Sequence, residues 1–199
     1  MNDSDRDGTR SPTRYYGKYR GKVVVNLDPE GLGRIMATAP DVQGLVPLSW
    51  ATPCVPLGGI TIPGFPAGTF MAPAIGANVW IEFEQGDPQY PIWSGGFWSN
   101  ASQVPLAANI PPAIPPGQNI VLQTPLKHML AISDAVPGPI LDPMLLRAPG
   151  TGGIILSSPT GAMIVVNDAG IFINNGQGAS INLVGTAVLI NKDALVVLK

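Results

Sequence analysis

Cys54 and His128 are the only cysteine and the only histidine in the chain. Together they could act as a thiolate nucleophile and its imidazole base. Nothing in the sequence marks a residue to orient the base, and no nucleophile motif surrounds Cys54. The expectation is a buried structural cysteine and a structural histidine, with no catalytic residue. Asp134, Asp168 and Asp193, the last two with Asn167 and Asn191 nearby, could hold calcium. They lack the glycine-rich nonapeptide spacing of calcium-binding repeats, so turn roles are expected. One cysteine excludes both a disulfide framework and a cysteine-rich zinc site. No metal and no cofactor is expected.

The elements that must position these residues follow from composition. The chain has 199 residues, 45% hydrophobic and 12% charged, with a formal net charge of -2. The charged share is about half the usual value of roughly 25%. So little charge suits a protein that hides much of its surface against partners. The 24 glycines and 22 prolines disfavour long helices, since glycine costs about 1 and proline about 3 kcal/mol in a helix interior. The hydrophobic content is too high for disorder. An all-β protein fits best. The charge balance makes no electrostatic case for nucleic acid. Met1–Arg14 is polar without an apolar segment, so no secretory signal is expected, and no apolar run is long enough to cross a membrane. The expectation is synthesis in the cytoplasm, with any exit by another route.

Residue usage divides the chain into four parts. Residues 1–14 read as a flexible polar arm. Residues 15–100 read as a compact β domain holding twelve of the thirteen aromatics. Within it, Lys22–Leu27 and Gly33–Thr38 are strands joined by a turn at Asp28-Pro-Glu-Gly31. Ala77–Glu84 alternates, with Val79, Ile81 and Phe83 on one face. Gln85–Gln89 is a turn. Pro91–Trp98 returns with Ile92 and Trp93 as further core candidates, and its paired glycines suggest a bulge. Short strands with a Gly/Pro excursion from Val55 to Pro73 suit a small Greek-key barrel of the OB type. Residues 101–118, with Pro111-Pro112-Ala-Ile-Pro115-Pro116, read as a semi-rigid polyproline II connector.

Residues 119–199 form the last part. Short β-branched segments recur there, mostly separated by glycine or asparagine. Their inward candidates are Ile154 and Leu156, Ile164 and Val166, Ile171 and Ile173, Ile181 and Leu183, Val188 and Ile190, and Leu195 and Val197. The cadence of about 7 to 10 residues per strand and turn is that of a β-solenoid or β-prism. One such ribbon would expose a row of aliphatic side chains and unpaired edges. Three copies wound about one axis would cover both, so an intertwined trimeric β-helix needle is expected.

Particular motifs then bring a family into view. They are Gly31-Leu-Gly-Arg-Ile35, Trp50-Ala-Thr-Pro53, Pro73–Pro88 and Tyr90-Pro-Ile-Trp-Ser-Gly-Gly-Phe-Trp98. This order resembles the OB-fold domain of contractile-tail spikes, the group of baseplate assembly protein V, cell-puncturing spikes and valine-glycine-repeat proteins. Thr124-Pro-Leu-Lys-His-Met-Leu-Ala-Ile-Ser-Asp134 is similar to the motif that opens their needle, and Gly153–Asn182 follows its continuing pattern. Lys127 stands where that motif prefers glycine, which leaves the local turn open.

The resemblance implies a non-enzymatic homotrimer whose OB domains sit on a hub protein at the end of the inner tube. Its needle would make transient contact with the target membrane as the sheath contracts. No lysozyme-like insert separates the two parts, so the cell-wall-cutting activity of some relatives is not expected. The compact form looks closest to spikes of phage-like extracellular injection systems or simple myophages. Some relatives bind iron at the tip through an H-x-H pattern, but this chain ends in Leu195-Val-Val-Leu-Lys199. Val197, Leu198 and Lys199 of three chains would leave an apolar, open-edged end, which argues for a separate cap such as a small PAAR-type cone. The basic residues Arg6, Arg10, Arg14, Lys18, Arg20, Lys22 and Arg34 could meet an acidic hub surface or simply be solvated. Two rivals stand beside this reading. A tailspike or adhesin would need exposed aromatics in the second half, where Phe172 is the sole aromatic. A spike could also carry a docked effector.

Overall fold

The computed structural model describes residues 13–108, 119–134, 152–192 and 194–198. The arm up to residue 12, the proline run Pro111–Pro116, Asp193 and Lys199 lie outside the described residues. Two compact units divide at residues 99 and 100.

The first unit is built on a six-stranded sheet. Its strands are β1 (Tyr19–Val25), β2 (Met36–Ala39), β3 (Gly44–Pro47), β4 (Thr52–Pro53), β7 (Asn78–Phe83) and β8 (Pro91–Gly96), in the order β3-β2-β1-β7-β8-β4. A one-turn helix, Pro40–Gln43, links β2 to β3. An isolated bridge joins Ile35, just before β2, to Ala51, just before the edge strand β4. A separate hairpin, β5 (Gly58–Ile62) with β6 (Phe65–Gly68), makes a two-stranded sheet inside the Gly/Pro-rich stretch.

The alternation of β7 buries Val79, Ile81 and Phe83, and they join Val23, Ile35, Leu48 and Trp93 in one core. Trp93 keeps its polar edge satisfied by donating its indole N–H to the Gly33 carbonyl at 3.1 Å. Ile92 is not in this core. It pairs with Glu82 on the opposite face and is half-buried, because consecutive residues of a strand point to opposite sides. The expected bulge is present: the β7–β8 register shifts between Val79 and Ile81, opposite Gly95, whose φ is +123°.

The turn at Asp28 carries the strongest local electrostatics of this unit. The Asp28 carboxylate accepts the backbone N–H groups of Glu30, Leu32 and Arg34, at 3.1, 2.9 and 3.2 Å. The Arg34 guanidinium donates to it at 2.7 Å and lies over the Trp50 ring, 5.5 Å from its centroid. The Arg34 hydrogen bonds, followed by the backbone donors, hold the Asp28 carboxyl far below its ordinary value of 3.8. A depressed carboxylate stabilises the fold above its unfolded-state value and loses that contribution as pH falls towards its folded value. Melting of the OB unit should therefore shift to lower temperature as pH drops below about 4. The Asp28→Asn variant should melt lower at pH 7 and show a flatter acid limb. An unchanged acid limb in scanning calorimetry would remove the brace.

The second unit is one eight-stranded antiparallel meander. Its strands are β9 (Ile120–Gln123), β10 (Met129–Ser133), β11 (Gly153–Ser157), β12 (Ala162–Asn167), β13 (Gly170–Asn175), β14 (Ser180–Val184), β15 (Ala187–Ile190) and β16 (Leu195–Leu198). Each pairs with its sequence neighbour, and the sheet does not close on itself. β9 and β10 precede the first strand expected from the sequence, at Ile154.

Candidate functional site

The site is a sheet face. Turn chemistry sets the lengths of its hairpins. The Asn167 side-chain carbonyl accepts the N–H groups of Ala169 and Gly170 at 2.9 and 3.2 Å. That of Asn175 accepts Gln177 and Ala179 at 2.9 and 3.0 Å. Asparagine can close such turns because its short side chain mimics a backbone acceptor.

With the turns held, the register places side chains in rows. Ile132, Ile154, Val166, Ile171, Leu183, Val188 and Val197 stand opposite one another in successive pairs, and Ile120 begins the row on β9. A second row runs Leu122, Leu130, Leu156, Ile164, Ile173, Ile181, Ile190 and Leu195. Every position in both rows is Ile, Leu or Val. The twelve residues singled out from the sequence all lie in these rows. Ile120, Leu122, Leu130 and Ile132 were missed, although they show the same i, i+2 pairing.

This face is not covered within one chain. Ile171 and Ile181 keep 38% and 40% of their surface exposed, rising to 60% at Ile120 and 54% at Leu195, where a strand has one neighbour only. The opposite face differs. Ala131, Ile155, Met163 and Val165 are buried there, with Val121, Met129 and Phe172 packed against them. Towards β14 that face turns polar, with Ser180 and Asn182.

Lys127 answers the question its position raised. Its φ is +67°, the left-handed region that glycine adopts freely. Its N–H donates to the Thr124 carbonyl at 2.8 Å, and the Thr124 hydroxyl accepts the His128 N–H at 3.1 Å. The turn of the motif is thus kept by a lysine under strain. Lys127→Gly should raise the dissociation temperature of the assembled protein, reflecting on the order of 1 kcal/mol per chain; a lower temperature would contradict this account of the turn.

The residues weighed for chemistry are divided between the two units. Cys54 is exposed, contrary to the expectation of a buried thiol, because β4 is a two-residue strand at the sheet edge and the cysteine follows it. Its N–H donates to the Trp93 carbonyl. His128 is exposed in the turn of the other unit. Asp134 and Asp168 line one cavity of about 500 Å³ with Asn167, Gly152 and Gly153. Among the described residues, no group of three or more His, Cys, Asp or Glu could hold a metal ion. None of their helices is long and apolar enough to cross a membrane.

A β-barrel unit followed by an open meander with one uncovered aliphatic face defines a structural, self-associating class of protein. The comparisons narrow that class. Residues 19–98 match the family model described as the Type VI secretion system/phage-baseplate injector OB domain. Residues 119–196 match the phage baseplate V C-terminal trimerisation domain. A search of curated proteins gives no match. With both domains present in order, the chain belongs to the phage baseplate V spike family.

Proposed function

We propose that the chain is the non-enzymatic central spike of a contractile injection system or phage tail, acting as a homotrimer. The observation that carries this reading is the aliphatic face: two uninterrupted rows of Ile, Leu and Val on eight strands, exposed in one chain. Three copies meeting on those faces form a triangular β-prism with a continuous dry core. Burying the remaining surface gives about 1 kcal/mol per side chain. That amounts to tens of kcal/mol per trimer before ordering entropy is counted. Strands stacked at 4.7–4.9 Å make a rod about 34 Å long.

Such a rod resists bending and unfolding, which is what transmitting the force of sheath contraction to a small membrane area requires. The OB domains anchor the spike to a hub protein. The open edge of β16, which has a neighbour on one side only, takes a PAAR-type tip. The division into arm 1–14, OB domain 15–100, connector 101–118 and needle 119–199 belongs to this reading, and so does incorporation into a baseplate. The sole aromatic of the second unit is Phe172, packed on the opposite face, so no observation favours an adhesin.

Light scattering of the purified full chain tests the proposal, with and without boiling in detergent. The expected mass is that of three chains, persisting in detergent until heated. A monomer at micromolar concentration would overturn it.

A further inference from the structure

We infer that the Asn175–Gly176 step, in the turn between β13 and β14, is a site of covalent self-modification. It deamidates through a succinimide, at a rate set by the opening of this one hairpin. Asn175 is the one asparagine in the chain that a glycine follows. Glycine has no side chain to shield its own nitrogen, so this pair closes the ring most readily. The Gly176 backbone nitrogen attacks the side-chain carbonyl carbon of Asn175 and an N–C bond forms. The carboxamide nitrogen leaves as ammonia, taking the proton that the Gly176 nitrogen gives up. Water then opens the ring at one carbonyl or the other. The products at position 175 are aspartate, or isoaspartate with one extra carbon in the main chain. Water is the only co-reactant.

The fold demands both members of this reactive pair. The Asn175 Oδ1 accepts the N–H groups of Gln177 and Ala179, which no residue without a short side-chain acceptor would satisfy. Gly176 has a φ of +74°, in the left-handed region. A Cβ there would lie 2.7 Å from the Thr160 carbonyl oxygen and 2.9 Å from the Ala162 nitrogen, both in the backbone of the neighbouring β11–β12 turn. The dipeptide is therefore a consequence of building this hairpin against that turn.

The same contacts keep the pair from reacting. The Gly176 N–H donates to the Asn174 Oδ1 at 2.6 Å, which holds the proton that must leave. With its Oδ1 tethered to two N–H groups, the Asn175 side chain is not free to swing its carbonyl carbon onto the Gly176 nitrogen. Its backbone is held as well, by pairing with Ala162 and by its own N–H donating to the Ala179 carbonyl at 3.1 Å. Ring closure thus waits for local opening of the turn. Both residues are exposed, so water reaches the turn as soon as it opens. Isoaspartate would lengthen the main chain of the turn that sets Ile173 opposite Ile181 and Ile171 opposite Leu183.

The test incubates the purified full chain in mildly alkaline buffer, once native and once in guanidinium chloride. Peptide mass spectrometry with fragmentation reads deamidation at each asparagine over time. Position 175 should change first in the unfolded chain, and at least tenfold more slowly in the native one. Another asparagine changing first would remove the site, and equal rates in the two states would remove the gate. In the Asn174→Ala variant the Gly176 N–H loses its acceptor. Its native rate should rise at least threefold while its rate in guanidinium chloride stays that of the parent; an unchanged native rate counts against the inference. A second readout needs no variant. On warming below the melting temperature, deamidation at 175 and amide exchange at Gln177 and Ala179 should accelerate together. Deamidation that proceeds independently of that exchange would overturn the gating by the hairpin.

Discussion

Replacing Ile171 with Asp should convert the spike from a heat-resistant trimer to a monomer. Ile171 stands in the middle of its row, paired with Val166 on one side and Leu183 on the other. In the proposed prism three such side chains would converge on one level of the axis. Three carboxylates there would be mutually repelling and without partners. Each buried unpaired charge costs several kcal/mol after relaxation, so the penalty per trimer is on the order of ten kcal/mol. That is comparable with the stability of a whole domain. A control separates the face from the strand: Val184 is exposed and lies on the other face of the neighbouring strand. Val184→Asp should keep the trimer. Light scattering and an unheated detergent gel read both variants. A trimeric Ile171→Asp protein, or a monomeric Val184→Asp protein, would place the axis on the wrong face.

The second large effect is expected at Gly170, which opens β13. Its φ is +150°, a conformation that side chains rarely adopt. A Cβ built there would lie 2.1 Å from the Leu183 carbonyl oxygen, a backbone atom of the adjacent strand. Strain of this kind costs about 1–3 kcal/mol before the overlap is relieved. Relieving it means moving β13 away from β14, and each of three chains carries the defect. Gly170→Ala should therefore lower the temperature at which the detergent-resistant trimer dissociates by well over ten degrees, or prevent assembly. Gly185→Ala is the contrast. Gly185 also has positive φ, at +58°, but an added Cβ meets nothing within 4 Å. Its loss should be mild. Equal effects at the two positions would mean that close strand approach at Gly170 does not matter.

These predictions rest on features that were legible to different degrees. The i, i+2 aliphatic pairs from Ile154 to Val197 could be read directly, because alternation is a local property of an extended chain. The same holds for Val79, Ile81 and Phe83, and for the bulge at the paired glycines. Other features were not local. The pairs at Ile120 and Leu130 were passed over. Lys127 hid the glycine-type turn between them, and a Pro-rich stretch separates β10 from β11. Ile92 and Trp93 were both placed in the core, although adjacent residues of one strand cannot share a face. The paired-glycine stretch offered no other clue to which of the two turns inward.

By itself, then, the sequence determined that the chain is all-β, where its strands alternate, and that one set of aliphatic side chains needs a partner surface. Those properties depend on residue type and short spacing. The tertiary structure alone decided which residues stand opposite each other. Turns such as those closed by Asn167 and Asn175 hold their hairpins to one register, and the strand pairing turns six separate pairs into two rows across eight strands. It also decided that Asp28 gathers Arg34 and three backbone N–H groups, and that the β5–β6 hairpin stands outside the OB core. Both depend on distances between atoms, which the strand spacing and the turns set once the chain has folded.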